Sequence, residues 1–164
     1  MIQVRVVGIA LDSAQQRIVL LKPVLEEPGE GRVLPIWIGD QEATSILIAV
    51  EGGTPTRPLT HDLMKTLLDA VDARVERIDV TRLDDGVFFA EITLKTSSGR
   101  LVLDARPSDS VALAVRMHAP IWVADDVLEE AGIPASIVDV GGEEAELDEF
   151  KEFLENVDPE DFQG

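Results

Sequence analysis

VERIDVTRLDDGVFFAEITLKTSSGRLVLDA, residues 75–105, has an apolar period close to two and carries two turn signals. Val75, Ile78 and Val80 lead into Asp85-Gly86, a dipeptide suited to the positive-φ positions of a two-residue hairpin. Val87 to Leu94 runs back, Ser98-Gly99 turns the chain again, and Arg100 to Ala105 makes a further strand. Three sequential strands joined by tight turns form a meander, which requires antiparallel neighbours. A doubly wound parallel fold needs strict alternation of strand and helix, so this segment disfavours it.

On the N-terminal side, Ile2 to Leu11 and Arg17 to Val24 are β-branched runs separated by polar Asp12 to Gln16, the pattern of a hairpin. Val33 to Ile38 is a short apolar run ending at Gly39, which predicts a buried strand. Asp40 then stands at a helix N-cap, and Ala43, Ile46, Leu47 and Val50 make a stripe that stops at Gly52-Gly53. After a proline-containing loop, Thr60 caps a second helix with Asp62 in its first turn, and Leu63, Met64, Leu67, Leu68 and Val71 are expected to face inward. Downstream, Pro107-Ser108-Asp109 opens a third helix, and Pro120 to Val123 is strand-like before a short acidic helix closed by Gly132. The order β-β-β-α-α-β-β-β-α-β-α-α predicts an α+β class: a mostly antiparallel or mixed, curved sheet with helices packed on it.

The chain has 164 residues, 45% apolar and 28% charged, enough for one domain with a real core. Its net charge of −18 excludes coating nucleic acid by bulk charge, so any anion must meet a local site. The absence of cysteine removes disulfides, thiolate metal sites and thiol nucleophiles, and fits a reducing, cytoplasmic setting. No apolar run has the length of a membrane span. Residues 139–164 hold 11 acids against one lysine, leaving −8 of the charge on the remainder. Beyond Gly141-Gly142, the spacing of Leu147, Phe150, Phe153, Leu154 and Val157 predicts an acidic amphipathic C-terminal helix. The expected division is a domain over 1–135 and a Gly-Gly linker with this helix over 136–164.

No P-loop, GxSxG, HExxH or EF-hand pattern is present. Two polar clusters deliver an arginine to a helix start instead: Arg57-Pro58-Leu59-Thr60-His61-Asp62 and Asp104-Ala105-Arg106-Pro107-Ser108-Asp109. Unpaired N–H groups at a helix start attract a phosphate, and a neighbouring arginine adds a forked contact. Asp104 and Asp109 are hard oxygen ligands suited to Mg²⁺ or Mn²⁺, and Asp62 offers the same chemistry. The intrinsic pKa of His61 suits proton transfer to or from oxygen. Those are the parts of a metal-assisted phosphodiesterase. The same residues also have structural readings. Asp62 and Asp109 suit the dipole of a first helical turn, and Arg106 beside Asp104 suits an ion pair. Trp37 and Trp122 lie in apolar runs that suit core packing.

Five blocks then carry a resemblance: Leu34-Pro35-Ile36-Trp37-Ile38-Gly39 with Glu42-Ala43; Arg57 to Leu63; Asp84 to Ala90; Asp104 to Ser110; and Ala119 to Val123. In this order, across about residues 1–135, the chain resembles the bifunctional nuclease family. That resemblance implies hydrolysis of phosphodiester bonds in both DNA and RNA. The acidic helix after Glu143 stands where plant-type members carry an excision-repair-type helical hairpin, so the chain is more similar to bacterial stand-alone members. The resulting expectation is a homodimeric nuclease in which Asp104 and Asp109 hold the metal and Arg57 and Arg106 grip phosphate. His61 moves a proton and Asp62 orients it. The alternative is a non-catalytic oligomeric module that binds a small anion or a protein partner at the same clefts.

Overall fold

The computed structural model describes residues 1–138; the expected acidic helix lies outside the described residues. Strands β1 (Ile2–Leu11), β2 (Arg17–Pro23) and β3 (Arg32–Ile38) precede helices α1 (Asp40–Val50) and α2 (Thr60–Ala70). The meander β4 (Arg74–Asp84), β5 (Val87–Thr96) and β6 (Gly99–Ala105) follows, then α3 (Pro107–Met117), β7 (Ile121–Val123), α4 (Asp125–Ala131) and the two-residue β8 (Ile133–Pro134). All eight strands form one sheet in the order β6-β5-β4-β7-β1-β2-β3-β8. It is mixed because β7 pairs parallel with β4, while every other neighbouring pair is antiparallel. The α+β class and the meander are as the sequence predicts.

Asp85 and Gly86 both have positive φ, 49° and 78°, which closes β4 onto β5 without splaying the strands. The three-residue step from Val75 to Ile78 also has a local cause. The ladder passes from Val75↔Leu94 to Arg77↔Thr93, so Glu76 is an extra residue in a bulge and both apolar side chains reach one face.

The helices cover one face of the sheet. Val19, Leu21, Leu34, Ile36 and Ile38 point to that face, where Ala43 and Ile46 of α1, Val111 to Ala114 of α3 and Val127 and Leu128 of α4 complete the main core. The alternate residues Ile18, Leu20, Val33 and Trp37 point to the other face and form a second cluster with Ile133 and Ala135. This half of the sheet is buried on both sides, so its strands read as continuous apolar runs. Trp37 is in the core, as expected, and its indole N–H donates to the buried Asp12 carboxylate at 3.0 Å. Trp122 is only partly buried and lies under the Arg77 guanidinium, 4.8 Å from the ring centroid. Ile137 and Val138 still pack against the second cluster.

Two local readings are corrected. The N-caps of α1 and α2 are Gly39 and Leu59, so Asp40 and Thr60 are the first helical residues. The apolar stripe of α2 is also split: Met64 and Leu68 pack on the core, whereas Leu63, Leu67 and Val71 are 52%, 57% and 67% exposed. Polar anchors at its first turn, described below, set the rotation of this helix. Among the described residues, no helix is long and apolar enough to cross a membrane.

Candidate functional site at three helix starts

α1, α2 and α3 all begin at one cleft of about 440 Å³. Asp40, Gln41 and Glu42 line it from the first turn of α1, Leu59, Thr60 and His61 from the start of α2, and Arg106 and Asp109 from the start of α3. Thr44 and Ser45 add the next turn of α1. None of the three N-cap side chains bonds its helix. The first-turn amides therefore concentrate partial positive charge at this end of the molecule. Pro107 at the first position of α3 fixes φ where an N–H has no intrahelical partner in any case.

A continuous polar chain crosses the cleft. The Ser45 hydroxyl is 2.7 Å from His61 Nδ1, and His61 Nε2 is 2.9 Å from Asp109 Oδ1. Asp109 Oδ2 accepts from Arg106 Nε at 2.9 Å, and a terminal guanidinium nitrogen of Arg106 donates to Glu42 Oε1, also at 2.9 Å. His61 is 5% exposed and lines the cleft. An ionised Asp109 can only accept, so the ring proton sits on Nε2. In the neutral imidazole, Nδ1 is then an acceptor, and the Ser45 hydroxyl donates to it. Protonation of Nδ1 reverses that bond.

Arg106 is held in its charged form first by Glu42 and then by Asp109. These bonds use Nε and one terminal nitrogen, leaving the other with no bond among the described residues. The Arg106 side chain as a whole is 58% exposed.

The carboxylate that orients His61 is Asp109, not Asp62. Asp62 Oδ2 accepts from the Leu59 N–H at 2.8 Å and Oδ1 from Arg116 Nε at 2.8 Å, so it caps α2 and ties it to α3. The Arg116 bond holds the Asp62 carboxyl below its ordinary pKa, against the opposing effect of burial. Of the two expected phosphate-gripping arginines, Arg106 is in the cleft. Arg57 is exposed in the loop before α2 and is not part of the lining.

The expected metal pair does not assemble. Asp104 lies exposed on β6 and does not line the cleft, while both oxygens of Asp109 are engaged by His61 and Arg106. Among the described residues, no group of three His, Asp or Glu side chains is placed to hold a metal ion. With both oxygens engaged, Asp109 would have to release His61 or Arg106 to ligate Mg²⁺ or Mn²⁺.

Ser45 and Glu42 are the members of the chain that the sequence reading did not assign. Their three-residue spacing places them on one face of α1, and Ser45 is a polar residue at a buried helical position. That placement was the available signal.

Comparison with known proteins adds the following. The family model of the bifunctional nuclease domain matches residues 23–136, a span holding every residue of the polar chain. An uncharacterized protein of Mycobacterium tuberculosis is 41% identical over 169 residues, covering 99% of this chain and 98% of its own length. Bifunctional nuclease 1 of Arabidopsis thaliana is 29% identical over 100 residues, 59% of this chain and 31% of the plant protein. Bifunctional nuclease 2 of the same plant is 30% identical over a stretch of equal length.

Proposed function

This chain belongs to the bifunctional nuclease domain family, and from that premise we propose that it hydrolyses phosphodiester bonds of DNA and RNA at the cleft between the starts of α1, α2 and α3. The observation that supports this reading is the chain Ser45–His61–Asp109–Arg106–Glu42 across a cleft faced by three helix N-termini. A phosphate in the cleft meets first-turn N–H groups and the free terminal nitrogen of Arg106. Asp109 fixes the proton of His61 on Nε2, so Nδ1 is the basic atom. A water oxygen that displaces the Ser45 hydroxyl at Nδ1 gives up its proton there as it bonds to phosphorus; the P–O bond to the leaving oxygen breaks, and Nδ1 passes the proton to that oxygen. In this reading no step passes through a metal ion, because both oxygens of Asp109 are engaged by His61 and Arg106.

Wild-type protein prepared by a nuclease-free route, assayed on single-stranded DNA and RNA beside His61→Gln, tests the reading. The variant should lose about 10²–10⁴ in rate, the usual contribution of a positioned acid–base group. Wild-type cleavage no greater than that of a mock preparation overturns it. A second reading, a non-catalytic module that binds a small anion, is favoured by the burial of His61 and Ser45, each 5% exposed. Phosphate binding without turnover supports that alternative.

A further inference from the structure

β6 is one edge of the sheet, pairing with β5 on one side only among the described residues. Its ladder with β5 has no bulge, and GRLVLDA contains neither proline nor lysine, so Arg100 and Asp104 are its only guards. Leu101, Val102 and Leu103 are 53%, 59% and 45% exposed. The turn Thr96–Gly99 closes the hairpin, so hydrogen-bonded pairs with β5 fall at Thr96/Gly99, Leu94/Leu101 and Ile92/Leu103. The alternating residues Arg100, Val102 and Asp104 therefore direct their N–H and C=O groups outward.

Charge is arranged in rows that run to this edge. Across β4, β5 and β6, Arg74, Lys95 and Arg100 stand opposite one another, as do Asp79, Glu91 and Asp104. Like charges facing across strands are destabilising. Within the chain, Glu76 relieves the first row through Arg100 and Arg77 relieves the second through Asp79. The Lys95/Arg100 and Glu91/Asp104 contacts remain.

We propose that β6 pairs antiparallel with β6 of a second copy of this chain about a two-fold axis at Val102. That register places Arg100 opposite Asp104 of the second copy, at both ends of the pair, and Val102 opposite its own equivalent. It uses all three outward-facing residues, whereas a shift of two residues in either direction leaves one unpaired and sets charge against Val102. Leu101 meets Leu103 of the second copy on the helix-bearing face. α2 is near this edge, since its end at Asp69 and Asp72 shares a pocket with Lys95, Thr96 and Ser97, and it contributes exposed Leu63, Leu67 and Val71 to the same side. The described chain ends at Val138 against the second cluster, beside the opposite edge of the sheet. Seven strand spacings, roughly 34 Å, separate the two edges; the choice of a second copy rests on the self-complementary order of Arg100, Val102 and Asp104 along the edge.

Sedimentation equilibrium of the full chain should give twice 17.9 kDa, with the Arg100, Val102 and Asp104 amides protected from hydrogen exchange only where dimer forms. Asp104→Arg and Arg100→Asp should each be monomeric, because each sets like charges together twice. Mixed, they should form a heterodimer, visible by native mass spectrometry. Val102→Pro removes an N–H that the monomer does not use in its ladder, and should give a folded monomer. Three results would overturn the proposal: a monomeric wild type whose Arg100, Val102 and Asp104 amides are protected at every concentration, a monomeric wild type with these three amides unprotected, or a dimer that survives Val102→Pro and both charge reversals.

Discussion

Asp109→Asn separates holding His61 from holding the fold. In the wild type one oxygen accepts from His61 Nε2 and the other from Arg106, with the Asp109 side chain 28% exposed. An asparagine keeps one acceptor and turns the other into a donor. If the amide N–H₂ faces Arg106, two donors oppose each other; if it faces His61, the ring proton moves to Nδ1 and Ser45 loses its acceptor. The partly buried His61 bond corresponds to about 1–2 kcal/mol, and the solvent-exposed Arg106 contact adds at most about 1 kcal/mol, with Glu42 still holding the guanidinium. A loss near 2 kcal/mol lowers Tm by about 4–8 °C for a domain of this size. Turnover should fall by about 10²–10⁴ at temperatures where the variant is fully folded, because the wrong tautomer leaves no base at Nδ1. Calorimetry and cleavage of a fluorogenic single-stranded oligonucleotide measure the two effects on one preparation. A fall in Tm with unchanged turnover would refute the assignment, leaving Asp109 as a strut between α2 and α3.

Asp62→Asn should cost about 1–3 kcal/mol at pH 7 through the loss of its charge-assisted bond to Arg116. The folded-state pKa of Asp62 is depressed, so its contribution is complete above the unfolded value and disappears as pH falls through the folded one; the difference in Tm between wild type and variant should shrink below about pH 4. Arg106→Lys retains the charge but cannot span Asp109 and Glu42 while presenting a further donor, so oligonucleotide affinity measured by anisotropy should weaken by about tenfold. Treatment with a chelator should leave cleavage in place; loss of activity restored by Mg²⁺ would return a metal to the mechanism and require Asp109 to release His61 or Arg106.

The elements were legible where local chemistry decides them. Asp85-Gly86 and Pro107 mark boundaries because φ or a missing donor restricts each position, Gly132 marks one because a Cβ there would collide with the Leu128 carbonyl oxygen, and β1 and β2 fall where the β-branched runs do. The rotation of α2 was not legible. Its apolar residues outnumber the positions the core has for them, and the choice is made by Asp62 and His61 reaching α3, a contact between residues about fifty apart in the chain. The two arginine-bearing helix starts were recognisable as one kind of chemistry; both helix starts line one cleft, but only Arg106 of the two arginines does. The roles within it were not readable. Asp62 and Asp109 are both first-turn aspartates, and only the packing of α2 on α3 tells which one faces the imidazole. Ser45 was hidden because a serine inside an amphipathic helix ordinarily belongs to its wet face.

β7 has only three residues, yet it joins the two halves of the sheet, pairing with β1 at Ile2↔Val123 and with β4 at Ile78↔Ile121. β1-β2-β3 and β4-β5-β6 are each built of sequence-local hairpins, whereas this seam closes loops of more than forty and more than one hundred residues. Loop-closure entropy places such contacts late in folding. α1 and α2 leave the chain from the β3 side of the seam, and α3 leads into β7 itself. A chain with both meanders formed and β7 undocked would therefore hold most of its strand content while Ser45, His61 and Asp109 remained apart. Recovery of the cleft on refolding should lag recovery of the sheet, and a substitution at Ile121 or Val123 that slows docking should lengthen the lag without altering either hairpin.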